Sequence, residues 1–100
     1  MARRAARVDA NHLDICHALR KHGCSVQSLA AIGKGCPDIV LAIGGITYLA
    51  EIKDKDGRNK KCALTPDQIK FHENWKAEVL RFNCIDDALD WVKDVRECMK

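Results

Sequence analysis

The run Gly35-Cys36-Pro37-Asp38 precedes an apolar stretch, a Gly44-Gly45 pair and then Tyr48-Leu49-Ala50-Glu51-Ile52-Lys53. Side chains of a strand alternate faces, so Glu51 and Lys53 point one way and Ile52 the other. A two-stranded hairpin would bring Asp38 near that pair. Carboxylates are hard oxygen ligands for a divalent cation, and Asp38 and Glu51 supply two. The backbone carbonyl of Ile52 lies between the side chains that matter and is a third candidate ligand. Lys53 is placed to contact a phosphate or to orient a water, where its charge would stabilise the anion that builds up as a phosphodiester is cut. Each motif alone is weak: Glu-x-Lys also describes an exposed same-face ion pair, and Pro-Asp is common at turns. Their agreement in order, spacing and topology is the stronger signal.

The scale of the chain sets the frame for that chemistry. One hundred residues make one domain, 1–100, with room for one core. The apolar share of 47% with 31% charged residues reads as globular and soluble, and a net charge of +3 permits nucleic acid without demanding it. Local charge says more. Arg3, Arg4 and Arg7 open the chain, and Lys53, Lys55, Arg58, Lys60 and Lys61 crowd one segment. Such runs are usually solvated faces. The six cysteines show no C-x-x-C pair and no zinc spacing with histidine, so they read as reduced thiols in a cytoplasm-like compartment. There is no secretory h-region and no long apolar span, hence no membrane role is expected.

The elements that must position the centre follow from periodicity. Val8, His12, Ile15, Cys16 and Leu19 recur at helical spacing, which predicts a helix from about Val8 to His22 stopped by Gly23. Cys24 to Leu29 reads as a short strand, and Ala30 to Pro37 as a loop. Ile39 to Ile43 is a continuous apolar run, as in a strand covered on both faces. Gly44-Gly45 suits a tight hairpin turn, leading into a strand over Ile46 to Lys53. Asp54 to Ala63 reads as a flexible charged loop whose Lys55, Arg58, Lys60 and Lys61 would contact phosphates. Thr65 then marks an N-cap, Pro66 sits at N1, Gln68 at N3 completes a capping box, and Leu64 with Ile69 forms a hydrophobic staple. That helix is expected to run to about Ala77. A strand over Glu78 to Phe82 and a last amphipathic helix on Ile85, Ala88, Leu89 and Val92 complete an αβββαβα order. The fold class is α/β, with a central mixed sheet flanked by helices.

Gly35-Cys36-Pro37-Asp38-Ile39-Val40, Thr47-Tyr48-Leu49-Ala50-Glu51-Ile52-Lys53, and Leu64-Thr65-Pro66-Asp67-Gln68 with Phe71-His72 and Trp75 together resemble a stand-alone VRR-NUC domain, a branch of the PD-(D/E)XK nuclease superfamily. The resemblance spans about residues 8 to 95. It implies a restriction-endonuclease-like core, Mg²⁺ or Mn²⁺ dependence and structure-selective cleavage of branched DNA in a bacterial or phage-infected cell. Small stand-alone members resemble Holliday junction resolvases, which implies a homodimer; two symmetric cuts also need two sites. The superfamily's motif residues carry over onto Asp38, Glu51 and Lys53, and the branch's glutamine onto Gln68. Gln68, Phe71, His72 and Trp75 share one helical face, expected to turn an aromatic stripe towards the body of the protein. Related resolvases often carry a first-helix glutamate in the metal site. The corresponding position here falls near Asn11 or His12, neither a carboxylate.

Two other classes compete with a nuclease for four-way junctions or flaps. One is a branched-DNA-binding module without turnover, which the missing first-helix acid favours. The other is a thiol-based regulator, which the unpaired cysteine spacing disfavours. Ser28 and Lys34 precede Pro37-Asp38 and are candidate backbone contacts to DNA. Trp91 lies off the stripe of the last helix and reads as interface or partly exposed core.

Overall fold

A computed structural model describes residues 10–53 and 64–99. Seven elements follow one another: α1 (Ala10–Lys21), β1 (Ser25–Ser28), β2 (Ile39–Ile43), β3 (Ile46–Ile52), α2 (Pro66–Asn74), β4 (Val79–Phe82) and α3 (Ile85–Cys98). This is the αβββαβα order that periodicity predicts. The sheet runs β1-β2-β3-β4, antiparallel across the first two pairings and parallel between β3 and β4. Parallel pairing needs a crossover, and α2 lies within it.

Alternation divides the sheet into two unlike faces. Ile39, Leu41, Ile43, Ala50, Leu80 and Phe82 are buried on one face against Ile15, Cys16 and Leu19 of α1 and Ala88 and Val92 of α3. Trp91 belongs to this side too, edge-on to Tyr48 at 4.9 Å and tilted against Phe82 at 5.7 Å. Of its two expected roles it therefore fills that of partly exposed core. The opposite face is thinner. Val40 and Ala42 are only half-buried, so β2 is not covered on both sides as its apolar run suggests. The run misleads because valine and alanine also serve a half-exposed strand position.

Local chemistry sets most boundaries. Gly44 and Gly45 both take positive φ (62° and 83°), the requirement of a two-residue type I′ hairpin between β2 and β3. Thr65 caps α2 with its side chain accepting from the Gln68 N–H at 3.2 Å, and the Gln68 side chain accepts from the Thr65 N–H at 2.9 Å. The staple is weaker than the spacing implies, since Ile69 stays 44% exposed. The helix also stops at Asn74, three residues early: Trp75 turns extended as the C-cap, donating its N–H to the Phe71 carbonyl. Removing the cap tests its contribution. Thr65→Ala is expected to destabilise the fold by about 1 kcal/mol, read as a lower denaturation midpoint at unchanged slope; an unaltered midpoint would show that α2 is held by the sheet alone.

Among the described residues, no helix is long and apolar enough to cross a membrane, and Cys16, Cys24, Cys36, Cys84 and Cys98 are free thiols.

Candidate active site

The centre forms where β2 begins and β3 ends. β3 pairs with β2 only as far as Ala50 opposite Ile39, so the N–H of Ile52 has no backbone partner from β2. Asp38 replaces it. Its Oδ2 accepts from the Ile52 N–H at 2.7 Å, which fixes the carboxylate beside the strand end. The Asp38 carbonyl accepts from the Leu29 N–H at 2.8 Å and ties the incoming loop. A strand residue sends its N–H and C=O to the same side. The Ile52 carbonyl therefore faces the Asp38 side.

Glu51 and Lys53 share the face opposite the main core, and α2 packs over them. Gln68 joins the two: its Nε2 donates to Glu51 Oε2 at 2.9 Å, and its Oε1 accepts from Lys53 Nζ at 2.8 Å. The same Oε1 also takes the Thr65 N–H. Helix capping and site-building thus share one amide: Oε1 serves both the cap and Lys53, and Nε2 serves Glu51. His72, one turn further along α2, brings Nε2 to 3.8 Å from Glu51 Oε1.

The Glu51 side chain is 1% exposed. Burial, then a side-chain hydrogen bond with Asp38 and the Asp38 charge, push its carboxyl up to about 8, against the opposing pull of Lys53 and Arg81. Glu51 Oε1 is buried with no hydrogen-bond partner within the protein, as is His72 Nε2. Burial, Arg81 and Lys53 hold the His72 imidazole below its usual pKa. The Cys36 thiol is raised by burial and by Glu51 and Asp38, which places it beside the same carboxylates.

The remaining candidates separate. Asn11 does not join the carboxylates; its Nδ2 donates to the Lys53 carbonyl at 2.9 Å and the Asn83 carbonyl at 3.3 Å, fastening α1 to the end of β3. His12 is buried in α1, one turn before Cys16, whose raised thiol pKa carries a contribution from Asp38. Among the described residues, no three His, Cys, Asp or Glu side chains gather into one group that could hold a metal ion; the oxygens that do face one another there are those of Asp38 and Glu51. Lys34 lies away from this set, along the outer side of α2. Lys55, Arg58, Lys60 and Lys61, expected to contact phosphates, lie outside the described residues. Arg81 is the charged neighbour that sequence reasoning missed. It stands opposite Glu51 in the β3–β4 register, and only that register reveals it.

Two touching carboxylates, one of them buried, make a place for a cation or a proton. A lysine and a histidine flank them, and an amide spans carboxylate and lysine. This set can bind a hard divalent cation, present a positive charge to an anionic substrate and hold a water between. The chain matches no family model, no curated protein and no solved structure.

Proposed function

We propose that the chain is a VRR-NUC-type nuclease with a restriction-endonuclease-like core, hydrolysing phosphodiesters of branched DNA, foremost four-way junctions, with Mg²⁺ or Mn²⁺. One observation carries the reading: Glu51, buried against Asp38 with Oε1 unpartnered and its carboxyl raised to about 8. A fold gains nothing by pressing two carboxylates together away from water unless something positive joins them. The donors available are oxygens, which suit Mg²⁺ and Mn²⁺ better than softer metals. A divalent cation held there would supply a more acidic water and neutralise charge on the scissile phosphate.

The chain's own groups do the rest. Asp38, locked by the Ile52 N–H, and Glu51, locked by Gln68, hold their oxygens in place without reorganising as substrate arrives. Lys53 Nζ, anchored on Gln68 Oε1 at 2.8 Å, is aimed where a phosphoryl oxygen gains charge. His72, kept neutral at ordinary pH by its lowered pKa, can accept a proton near Glu51. The meeting of only two carboxylates among the described residues favours one competitor, a branched-DNA-binding module without turnover.

A panel of four-way junction, flap, splayed and linear DNAs, each with Mg²⁺, Mn²⁺ or Ca²⁺, separates these readings. Paired nicks across the four-way junction with Mg²⁺ or Mn²⁺ are expected. The protein should sediment as a homodimer, because two symmetric cuts need two sites at fixed spacing. Cleavage of flaps alone by a monomer would assign it to flap processing. Tight binding of junctions with no cleavage under any metal would make it a binding module.

A further inference from the structure

Helix α2 presents two neighbouring stripes. Gln68 and His72 face Glu51. One step round the helix, Asp67, Lys70, Phe71 and Asn74 recur at the three- and four-residue spacing that shares a face. With Trp75 and Lys34 they line an open groove of about 250 Å³, room for a base but not for a duplex. Phe71 and Trp75 are stacked there, ring centres 5.2 Å apart and planes within 18°. Trp75 is 46% exposed, so the indole that was expected to turn inwards lies on the rim of the groove. The Trp75 backbone N–H still donates to the Phe71 carbonyl, so the indole stays one turn beyond Phe71 on the same stripe while the chain turns extended and leaves the helix.

Lys34 reaches the groove from the far side. It takes a positive φ of 57° in the loop before β2, and the next residue, Gly35, packs against the backbone of Asp67. A Cβ at position 35 would overlap the Asp67 carbonyl, so only glycine lets this loop close on α2. The contact sets Lys34 and Lys70 on the walls of one groove.

We propose that this groove binds an unpaired base of single-stranded DNA. The base continues the Phe71–Trp75 stack, Lys34 and Lys70 take the flanking phosphates, and Asp67 and Asn74 hydrogen-bond the base edge. The proposal rests on the nuclease reading for the identity of the polymer, and it deepens that reading by naming an unstacked strand beside the cut. Every base offers a π-face, so an aromatic platform accepts single strands of any sequence, while stacked duplex offers it no free face. The acidic Asp67 repels phosphate but accepts from a base N–H, which every one of the four bases carries, the ring N3–H of thymine included, and this sorts base from backbone within the groove. An aromatic groove could also take a peptide; two lysines on its walls and a phosphodiester-cutting centre one helical stripe away favour a nucleotide.

The test is binding in EDTA, where no cleavage intervenes. The full chain is titrated with a short fluorescein-labelled oligothymidylate and with a blunt duplex, following anisotropy and tryptophan emission. Single strand should quench the emission. Trp75→Ala should weaken single-strand binding by on the order of tenfold, with an unchanged melting temperature and little effect on duplex, and Trp75→Phe should restore most of the loss. Lys34→Gln and Lys70→Gln should each flatten the salt slope for single strand by about 0.7. Equal binding by wild type and Trp75→Ala, or no binding of oligothymidylate, overturns the proposal. Nicking is assayed separately with Mg²⁺. Trp75-dependent binding without nicking of any DNA upholds the groove and sinks the nuclease reading; nicking with Trp75-independent binding does the reverse.

Discussion

Glu51→Gln is expected to abolish metal-dependent cleavage and, in the same stroke, to remove a pH dependence from the stability of the cation-free fold. Both follow from one buried carboxyl. In the folded chain it titrates at about 8, against an ordinary value of 4.5. The folded state therefore holds this proton more tightly than the unfolded state. Stability is fully present below pH 4.5 and declines as pH rises through about 8. His72 works in the other direction, since its lowered pKa makes stability rise with pH up to its ordinary value of 6.5. Between pH 6.5 and 8 the Glu51 contribution stands apart. There the wild type in EDTA should lose on the order of 1 to 2 kcal/mol, visible as a falling melting temperature. Glutamine is close in shape to the protonated acid and cannot ionise, so the variant should keep its melting temperature across that range. Adding Mg²⁺ at pH 8 should raise the wild type and leave the variant unmoved, because only the ionised carboxylate gains a partner. Asp38→Asn should likewise stop cleavage while its amide oxygen still accepts from the Ile52 N–H. Wild-type turnover in either amide variant would remove both residues from the catalytic assignment, and a flat wild-type stability profile would mean Glu51 is not held protonated.

The parts of this centre that a reader of the sequence can find are those written in short-range rules. Gly44-Gly45 between apolar runs is a hairpin because each position must take positive φ. Thr65-Pro66-Asp67-Gln68 is a helix start because each residue satisfies a terminal N–H or lacks one. The shared face of Glu51 and Lys53 follows from a period of two. What the sequence hides is carried by pairings distant in the chain. Asp38 finds Ile52 because β2 starts two residues too late to pair with it. Arg81 stands beside Glu51 through the register of two parallel strands, and register has no local signature. Asn11 looked like a place for a missing acid and instead fastens two carbonyls of other elements. Trp75 shares a helical stripe with Phe71 as its spacing implies, yet it lies on an exposed rim, because spacing does not record which stripe of α2 meets the sheet. The apolar run of β2 overstates burial because its composition does not record which face a neighbouring helix covers.

Lys53→Ala should slow cleavage by on the order of a hundredfold, with far less effect on DNA affinity. A charge aimed at the reacting phosphate acts mainly in the transition state, so its loss falls on the single-turnover rate. The charge of Lys53 adds a second consequence. Lys53 lowers the pKa of Glu51, so removing it should push that carboxyl still higher than about 8. More of the acid is then protonated at neutral pH. The rising limb of the activity–pH profile should move to higher pH, and more Mg²⁺ should be needed for half-maximal rate. Gln68 touches both partners, so Gln68→Ala should produce a smaller shift of the same limb, by releasing Lys53 Nζ from Oε1 and Glu51 Oε2 from Nε2. The double variant should lose less than the two single losses combined, because either change already dismantles the bridge. Fully additive losses would mean that lysine and glutamine act independently. A Lys53→Ala variant that loses affinity while keeping its single-turnover rate and pH profile would reduce Lys53 to a contact with the DNA backbone.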